Sequence, residues 1–600
     1  MLTHSPDHNP PAPRAGRLAW GSLRRVWRGL FARAEPRPAP ADRRPYPWER
    51  SYPAGVSWDA RFEPMALTTL FDRAVATHGD RVCLDFRGRR HRYREVAGLV
   101  DRAAKGFRAL GVGKGIKVGL MLPNSPYAVI CFYAVLKAGG TVVNINPLYA
   151  AREIDREIRD SGACIVVTLD LKRLYAKVAP GLGRDGGLER IVVCGTASML
   201  PLREKALFAL LKRREVVAVP DDAGHVRFDA LIDNDGDVAP AAIDPERDIA
   251  VLQYTGGTTG LPKGAELTHA NLCANVRQLA LWAPDLRLGE EKILGALPLF
   301  HAFGMTAVMN LGLHIGAEIV LLPHFKPAEV VEFIHRARPT VFIGVPTMFS
   351  AINDSAAIEG RDLSSLAYCI SGGAPLPAAV HNRFEDLTGC TLVEGYGLSE
   401  AAPVCAVNPL GGVNKVGSVG LPLPGTVIEI VALDEPDRLL PQGEHGEICV
   451  RGPQVMAGYA NRARETHDAL AGGRLHTGDI GYFDDDGYLY IIDRIKDVIL
   501  CGGFNVYPRM VEEVVHLHPA VAEVAVCGVP DRHRGEIVMA FVVRHPDQPL
   551  TAAELRAFLK DKLAPFQMPR RIDFRDALPK TAIGKIAKKD LVAALGDPNP

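Results

Sequence analysis

The chain lacks a surplus of charge of either sign. Its 70 Lys and Arg residues face 69 Asp and Glu residues, a formal net charge of +1. That balance excludes a protein that binds nucleic acid through its overall charge. Paired cysteines are also missing. Eleven cysteines are scattered between Cys83 and Cys527, none of them in a C-x-x-C pair, and their number is odd. Reduced, mostly buried thiols in a cytoplasmic protein are expected, rather than a zinc site or a disulfide framework. No apolar run is a convincing membrane span. The best window, residues 304–323, contains His314, Glu318 and several glycines, and reads as helix, turn and buried strand. There is no Gly-x-Gly-x-x-Gly, so a dinucleotide-binding fold is not indicated.

Six hundred residues, 47% hydrophobic and 23% charged, make an ordinary globular balance. The length suggests roughly three to five structural units. Residues 1–45 differ from the rest, being rich in Pro and Arg, and read as disordered apart from one segment. Within residues 18–31, Trp20, Leu23, Val26, Trp27, Leu30 and Phe31 fall near helical spacing, with Arg17, Arg24, Arg25, Arg28 and Arg33 around them. Such a basic amphipathic helix suits the surface of an anionic membrane, which would place the protein peripherally on its inner face. A targeting presequence, or a helix docked on the catalytic body, would look similar.

From residue 46 helical and strand-like segments alternate. Helices are expected at 70–78, 93–110, 127–138 and 151–161, with strands at 82–86, 117–122, 141–145 and 164–168. Alternation of this kind predicts an α/β fold: a large multi-layer N-terminal domain with mostly parallel sheets. Residues 202–217 read as a basic helix within a loop-rich insertion at 185–245, and no chemistry is attached to it. Residues 481–492 read as a hairpin turning at Asp484-Asp485-Asp486-Gly487. A small, self-contained α+β pattern follows: helix 509–516, strands 521–526 and 538–543, helix 552–563 and a strand at 571–574. The expected division is a tail at 1–45, a large N-terminal domain at 46–495 and a small C-terminal domain at 496–600.

The most informative stretch is Tyr254-Thr255-Gly256-Gly257-Thr258-Thr259-Gly260-Leu261-Pro262-Lys263-Gly264. Amides freed by glycine, threonine hydroxyls and one ammonium make a cradle for phosphate oxygens. It is not the usual P-loop, because Pro262 precedes the lysine and Gly264 follows it. Four later segments have residue types suited to a nucleotide. In Ser371-Gly372-Gly373-Ala374-Pro375 the glycines let a flat ring lie against the backbone. Glu394-Gly395-Tyr396-Gly397-Leu398-Ser399-Glu400 offers an aromatic face, a hydroxyl and, in Glu400, a hard oxygen ligand for Mg²⁺. Leu475-His476-Thr477-Gly478-Asp479 places at a turn a carboxylate that matches two vicinal hydroxyls. Asp493-Arg494 adds a guanidinium. Pro298-Leu299-Phe300-His301 is an apolar turn, and a lone histidine there is more often structural than catalytic. Leu578-Pro579-Lys580-Thr581-Ala582-Ile583-Gly584-Lys585 could equally be a solubilising basic tail.

In order and spacing these segments resemble the adenylate-forming superfamily, which includes acyl-CoA synthetases, luciferases and peptide-synthetase adenylation domains. The resemblance runs from about residue 50 to about 595. It implies that the 255–260 loop (Thr255, Gly256, Gly257, Thr258, Thr259, Gly260) and Lys263 hold the β- and γ-phosphates of ATP. It further implies that Gly373, Ala374 and Pro375 wall the adenine, with Tyr396, Gly397 and Ser399 beside it. Asp479 and Arg494 hold the ribose, and Thr255 and Glu400 the Mg²⁺. His301 lies between the acyl pocket and the path of coenzyme A. Lys585 bridges the acyl carboxylate and the α-phosphate. The C-terminal domain turns about Lys496, so that Gly502 and Gly503, after Cys501, receive the pantetheine arm of CoA. The family usually has Thr where this chain has Ser399, and often Arg where it has Lys588. Gln253-Tyr254 and Gly503-Phe504-Asn505-Val506-Tyr507-Pro508 most resemble bacterial long-chain fatty-acid–CoA ligases. Trp48-Glu49, Tyr52-Pro53 and Val56-Ser57-Trp58 resemble bacterial medium- to long-chain and dicarboxylate–CoA ligases. An apolar pocket drawing on Met305 and residues 345–348 is expected to favour an alkyl chain. The Asp that peptide-synthetase domains place at the His301 turn is absent. The expected activity is ATP-dependent fatty-acid–CoA ligation. A pimelate-like dicarboxylate, an aryl acid or a carrier-protein acceptor remains the alternative. The sequence leaves the oligomeric state open.

Overall fold

The computed structural model describes residues 45–183, 187–255, 262–501, 504–531, 534–546, 548–581 and 586–595. The expected helix at 18–31 lies outside them. So do Gly256 to Gly260, Gly502, Gly503 and Lys585.

Two large sheets carry the N-terminal part. The first has nine strands. Its centre is five parallel neighbours, Thr391–Gly397, Tyr368–Gly372, Val341–Gly344, Lys292–Gly295 and Glu318–Leu321, joined on one side by Val82–Phe86. The second has eight strands. Ile249–Thr255, Thr141–Asn144, Lys117–Leu120, Ile165–Leu169 and Arg190–Cys194 run parallel within it. Continuous apolar runs form these strands because helices cover both faces. Helix Pro126–Ala138 is itself apolar all round and almost wholly buried. Ser125 caps its first turn at Ala128 N, and Gly139 stops it at φ 91°. Helix Tyr93–Ala109 instead buries one stripe, Tyr93, Val96, Val100, Ala103, Ala104 and Phe107. One hydrophobic cluster extends from Trp48 to Leu489.

A four-stranded antiparallel sheet follows, Val427–Val431, Gly446–Arg451, Leu475–Phe483 and Leu489–Arg494. Only its last hairpin was legible in the sequence. A smaller C-terminal domain has its own five-stranded sheet and separate apolar clusters. Its long hairpin, Val521–Asp531 with Gly535–Arg544, outruns the expected strands. The ladder runs past the expected end at residue 526, pairing Gly528 with Val538 and Pro530 with Glu536.

Two helices are shorter than expected. Residues 202–217 split into helix Leu202–Leu211 and a 3₁₀ turn, Arg213–Glu215. The helix predicted at 552–563 ends at Leu559. All eleven cysteines are free thiols, ten of them buried and Cys164 half-buried.

Candidate functional site

The strand Ile249–Thr255 pairs antiparallel with Lys263–Thr268, and Thr255 stands opposite Lys263. Both ends of the glycine-rich loop are therefore fixed by the ladder, although Gly256, Gly257, Thr258, Thr259 and Gly260 themselves are not described. The loop leads into a strand, not into a helix as in a P-loop.

Lys263 meets a residue that the sequence did not reveal. Its ammonium lies 5.1 Å from the centroid of the Tyr459 ring. The Tyr459 hydroxyl donates to Glu400 Oε1 at 2.8 Å. Tyr459 comes from a two-residue strand, Gly458–Tyr459, paired to Lys263–Thr268. The backbone closes the same corner, since Met456 N donates to Glu400 O at 2.8 Å. Burial and then the Glu400 charge push the Tyr459 phenol well above its ordinary pKa, so it stays a donor. A lone Gly-Tyr in a loop-rich stretch carries little sequence signal, which is why reasoning by motif missed it.

The second cluster forms around Asp479. Tyr396 donates its hydroxyl to Asp479 Oδ2 at 2.6 Å, and Arg494 Nε donates to Oδ1 at 3.0 Å. Tyr396 and Asp479 are buried, whereas Arg494 is exposed. Partial desolvation of the guanidinium opposes its charge, but Asp479, Asp497 and the Tyr396 phenol outweigh it and raise the Arg494 pKa. Asp479 was expected at a turn. It lies instead inside the strand Leu475–Phe483, paired with Arg494. Gly478 at φ 72° and the register shifts on both sides of this strand form bulges, and bulge and turn chemistry read alike in a sequence. Asp493, next to Arg494, accepts from Arg494 N and Arg509 N, both at 2.8 Å.

Tyr396 and Glu400 sit on one ribbon, so the two clusters flank residues 396–400. Gly397 is obligatory there, because a Cβ would lie 2.0 Å from Pro403 O. Ser399 begins the 3₁₀ turn Ser399–Ala401. Beneath the ribbon, buried Glu394 accepts from Leu376 N at 3.3 Å. Burial pushes its carboxyl up to about 7. Gly373 and Pro375 are exposed and Ala374 is half-buried, which leaves this backbone open to a flat partner.

His301 is placed by its own turn and by two side chains, Asn124 and Gln253, to which no role at this turn was assigned from the sequence. Asn124 holds the turn from below, donating to Gly295 O (3.1 Å) and Leu297 O (2.8 Å) and accepting from Leu299 N (2.8 Å). Gln253 donates to Phe300 O at 3.1 Å, linking the strand of the glycine loop to the His301 turn. Gly304 closes the turn, since a Cβ there would meet Pro298 O at 2.1 Å. Met305, Val345 and Met348 nearby are buried. The Phe303 ring abuts Gly372, where a Cβ would lie 3.0 Å from it.

Lys585 itself is not described, but its frame is. Lys580 pairs with Ile586 in an antiparallel bridge, and Ala587 N donates to Pro579 O at 2.8 Å. Among the described residues one mixed group of potential metal ligands occurs, Glu447, Cys449 and His476. His476 Nδ1 lies 2.8 Å from Glu447 Oε2 and 3.4 Å from Cys449 Sγ.

The family model for AMP-binding enzymes matches residues 71–460, and that for the AMP-binding enzyme C-terminal domain matches residues 510–585. A long-chain-fatty-acid–CoA ligase of Bacillus subtilis (strain 168) is 41% identical over 549 residues, 91% of this chain and 97% of that protein. The fold is similar to ATP-bound MatB of Rhodopseudomonas palustris, with a TM-score of 0.75 and 29% identity, covering 89% of this chain and 99% of that one. It is also similar to the anthranilate CoA ligase AuaEII in complex with anthranoyl-AMP, with a TM-score of 0.77 and 27% identity, covering 88% of this chain and 97% of that one. The chain belongs to the AMP-binding enzyme family and is an adenylate-forming CoA ligase, an enzyme that uses ATP, Mg²⁺ and CoA.

Proposed function

We propose that the acid this ligase activates is a medium- or long-chain fatty acid. The observation that carries the reading is that Met305, Val345 and Met348, the residues expected to line the acyl pocket, are apolar and buried. An alkyl chain suits such a lining, whereas a second carboxylate would need a buried cation. Likeness to the Bacillus long-chain ligase over nearly its full length supports the same reading.

The residues have the following roles in this reading. The 255–260 loop and Lys263 take the β- and γ-phosphates. Asp479 accepts from the ribose hydroxyls through lone pairs beyond those used by Tyr396 and Arg494. Gly373, Ala374 and Pro375 wall the adenine, with Tyr396, Gly397 and Ser399 alongside. Glu400, with one oxygen steadied by Tyr459, and the Thr255 hydroxyl are hard oxygen donors that fit Mg²⁺. Magnesium bound there supplies neutralisation of triphosphate charge. A carboxylate is already a nucleophile at neutral pH, so adenylation needs alignment rather than a general base. Its oxygen attacks the α-phosphorus, the bond to the β-phosphate breaks, and pyrophosphate leaves. Lys585 offsets charge at the α-phosphate. Rotation about Lys496 then withdraws Lys585 and brings in Gly502 and Gly503. The CoA thiol attacks the acyl carbon, loses its proton, and AMP leaves. Leu500 and Phe504, which flank Gly502 and Gly503, are large apolar side chains held in water. A domain rotation that buries them would account for their exposure.

A second reading, an aryl acid or a dicarboxylate, draws on the likeness to the anthranilate ligase. The test is thioester formation and pyrophosphate release across acetate, octanoate, palmitate, oleate, pimelate and benzoate, with and without CoA. A CoA-dependent optimum at octanoate, palmitate or oleate is expected. An optimum at pimelate or benzoate overturns the substrate class but keeps the mechanism. Pyrophosphate release without thioester transfers the acceptor role to a carrier protein.

A further inference from the structure

Helix Leu202–Leu211 takes no part in the site, yet it is firmly held. Upstream, Thr196 N and Oγ1 donate to Asp170 Oδ1 at 2.9 and 2.5 Å, and Met199 and Leu200 are buried. Downstream, Val216 bridges Leu171, and Val217 N donates to Asp170 O at 2.8 Å. Phe208 packs against the core, and Glu204 pairs with Arg87 at 2.6 Å. The remaining described side chains face water. Leu202 is 86% exposed, Leu207 55%, Leu210 79% and Leu211 66%. At 3.6 residues per turn, Leu202, Ala206 and Leu210 lie opposite Glu204 and Phe208, and Leu207 and Leu211 carry the apolar arc round toward Glu204, with Arg203 inside it.

Four exposed leucines on a helix pinned at both ends are not a frayed terminus. Apolar surface concentrated in this way marks an interaction face. Its charge says what covers it. Both acidic residues of the stretch are paired, Glu204 with Arg87 and Glu215 with Lys212. Exposed Arg203, Lys205 and Arg214 are left to set the sign of the face. A second copy of this chain would bring the same positive charges against it. An anionic bilayer offers both an apolar interior and negative headgroups.

We propose that helix Leu202–Leu211 is the docking element for an anionic lipid surface. It lies in the interfacial plane, with its leucines at the acyl boundary, Lys205 and Arg214 among the headgroups, and Arg203 reaching back to them along its aliphatic stem. Ten residues of helix reach about 15 Å, half a bilayer core, so the helix rests on the membrane and does not cross it. No described helix is long and apolar enough to cross. The helix follows the carboxyl end of the strand Arg190–Cys194, and the glycine-rich loop follows the carboxyl end of the strand Ile249–Thr255. These strands run parallel in one sheet, so docking turns the edge that carries the phosphate cradle toward the bilayer.

The test is flotation of the full chain with vesicles of phosphatidylcholine plus phosphatidylglycerol, and of phosphatidylcholine alone. Stronger binding to the mixed vesicles is expected. Leu207→Glu with Leu210→Glu should lower that binding at least tenfold or so. Arg203→Glu with Lys205→Glu should lower it roughly tenfold at low salt and less at high salt. Both variants should release pyrophosphate at the wild-type rate with octanoate in free solution, because the helix carries none of the residues placed in the site. Wild-type binding that survives the leucine changes overturns the proposal and passes the role to another segment, such as residues 18–31. Failure of the wild type to bind either vesicle also overturns it. So does a wild-type dimer, seen by sedimentation, that the leucine changes split without any vesicle binding, since the occupant is then a second copy.

Discussion

Asp479 and Glu400 are the two carboxylates proposed for the site, and the fold treats them in opposite ways. Asp479 is buried, and each of its oxygens accepts from a different side chain, the Tyr396 phenol and the Arg494 guanidinium. Glu400 is half-buried and is held through one oxygen by one neutral donor, Tyr459. An acceptor for ribose hydroxyls must be fixed before its partner arrives, and buried charge-assisted hydrogen bonds fix it. A ligand for a hydrated cation must keep an oxygen within reach of water, and partial exposure leaves it there. On this proposal the ribose side is held by the protein's own hydrogen bonds, whereas the phosphate side is completed by what binds.

Removing Asp479 should break this contrast most severely. Asp479→Ala leaves the buried Tyr396 phenol without its acceptor and Arg494 without its counter-charge, which costs about 1–3 kcal/mol of stability. The kcat/KM for ATP should fall at least a hundredfold or so, mostly through KM. A thermal melt and an ATP saturation curve measure both. If the melt moves while the ATP constants do not, Asp479 only braces the sheet. Glu400→Gln should behave differently. The amide still accepts from Tyr459, so the melting temperature should stay within a degree or so. Pyrophosphate release should fall roughly ten- to a hundredfold, and the Mg²⁺ concentration for half-maximal rate should rise. An unchanged Mg²⁺ midpoint would remove Glu400 from the cation.

How much of this was legible in the sequence follows the same divide. Tyr396, Asp479 and Arg494 each stand in a segment of fixed residue types, and the structure brings all three into contact. Lys263 and Glu400 were legible as well, but the residue that joins them was not. Tyr459 acts through pairing of its two-residue strand with Lys263–Thr268, some two hundred residues earlier in the chain. The roles of Asn124 and Gln253 were likewise hidden, since their work is done on backbone carbonyls of a distant turn. Helices and strands of the parallel sheets could be read because their periodicity is local. The antiparallel sheet at 427–494, its last hairpin apart, could not, because its strands are defined by long-range pairing and Gly478 reads as a turn.

Tyr459 offers a finer cut through the phosphate half. Tyr459→Phe keeps the ring near the Lys263 ammonium and removes the donor to Glu400. A loss of about threefold to tenfold in pyrophosphate release is expected, with little change in stability. Tyr459→Leu removes the cation–ring contact too and should lose more. Equal effects from the two variants would assign all of the role to the hydroxyl.

Glu394 extends the contrast to a third carboxyl on the same ribbon, and here the expected effect is smallest. It is buried, with one backbone donor, Leu376 N, and its pKa is pushed up from 4.5 to about 7, chiefly by burial. The folded protein therefore holds a proton on Glu394 at pH values where the unfolded chain has released it. Stability from this group is full below about pH 4.5, declines as pH rises toward 7, and levels off above that. Glu394→Gln cannot titrate, so its melting temperature relative to wild type should climb between pH 5 and pH 8, by roughly a few degrees at most in a chain of this size. If that difference stays flat across the window, the carboxyl is ionised throughout. Arg509, whose charge acts to lower the Glu394 pKa, would then stabilise that charge more than burial opposes it.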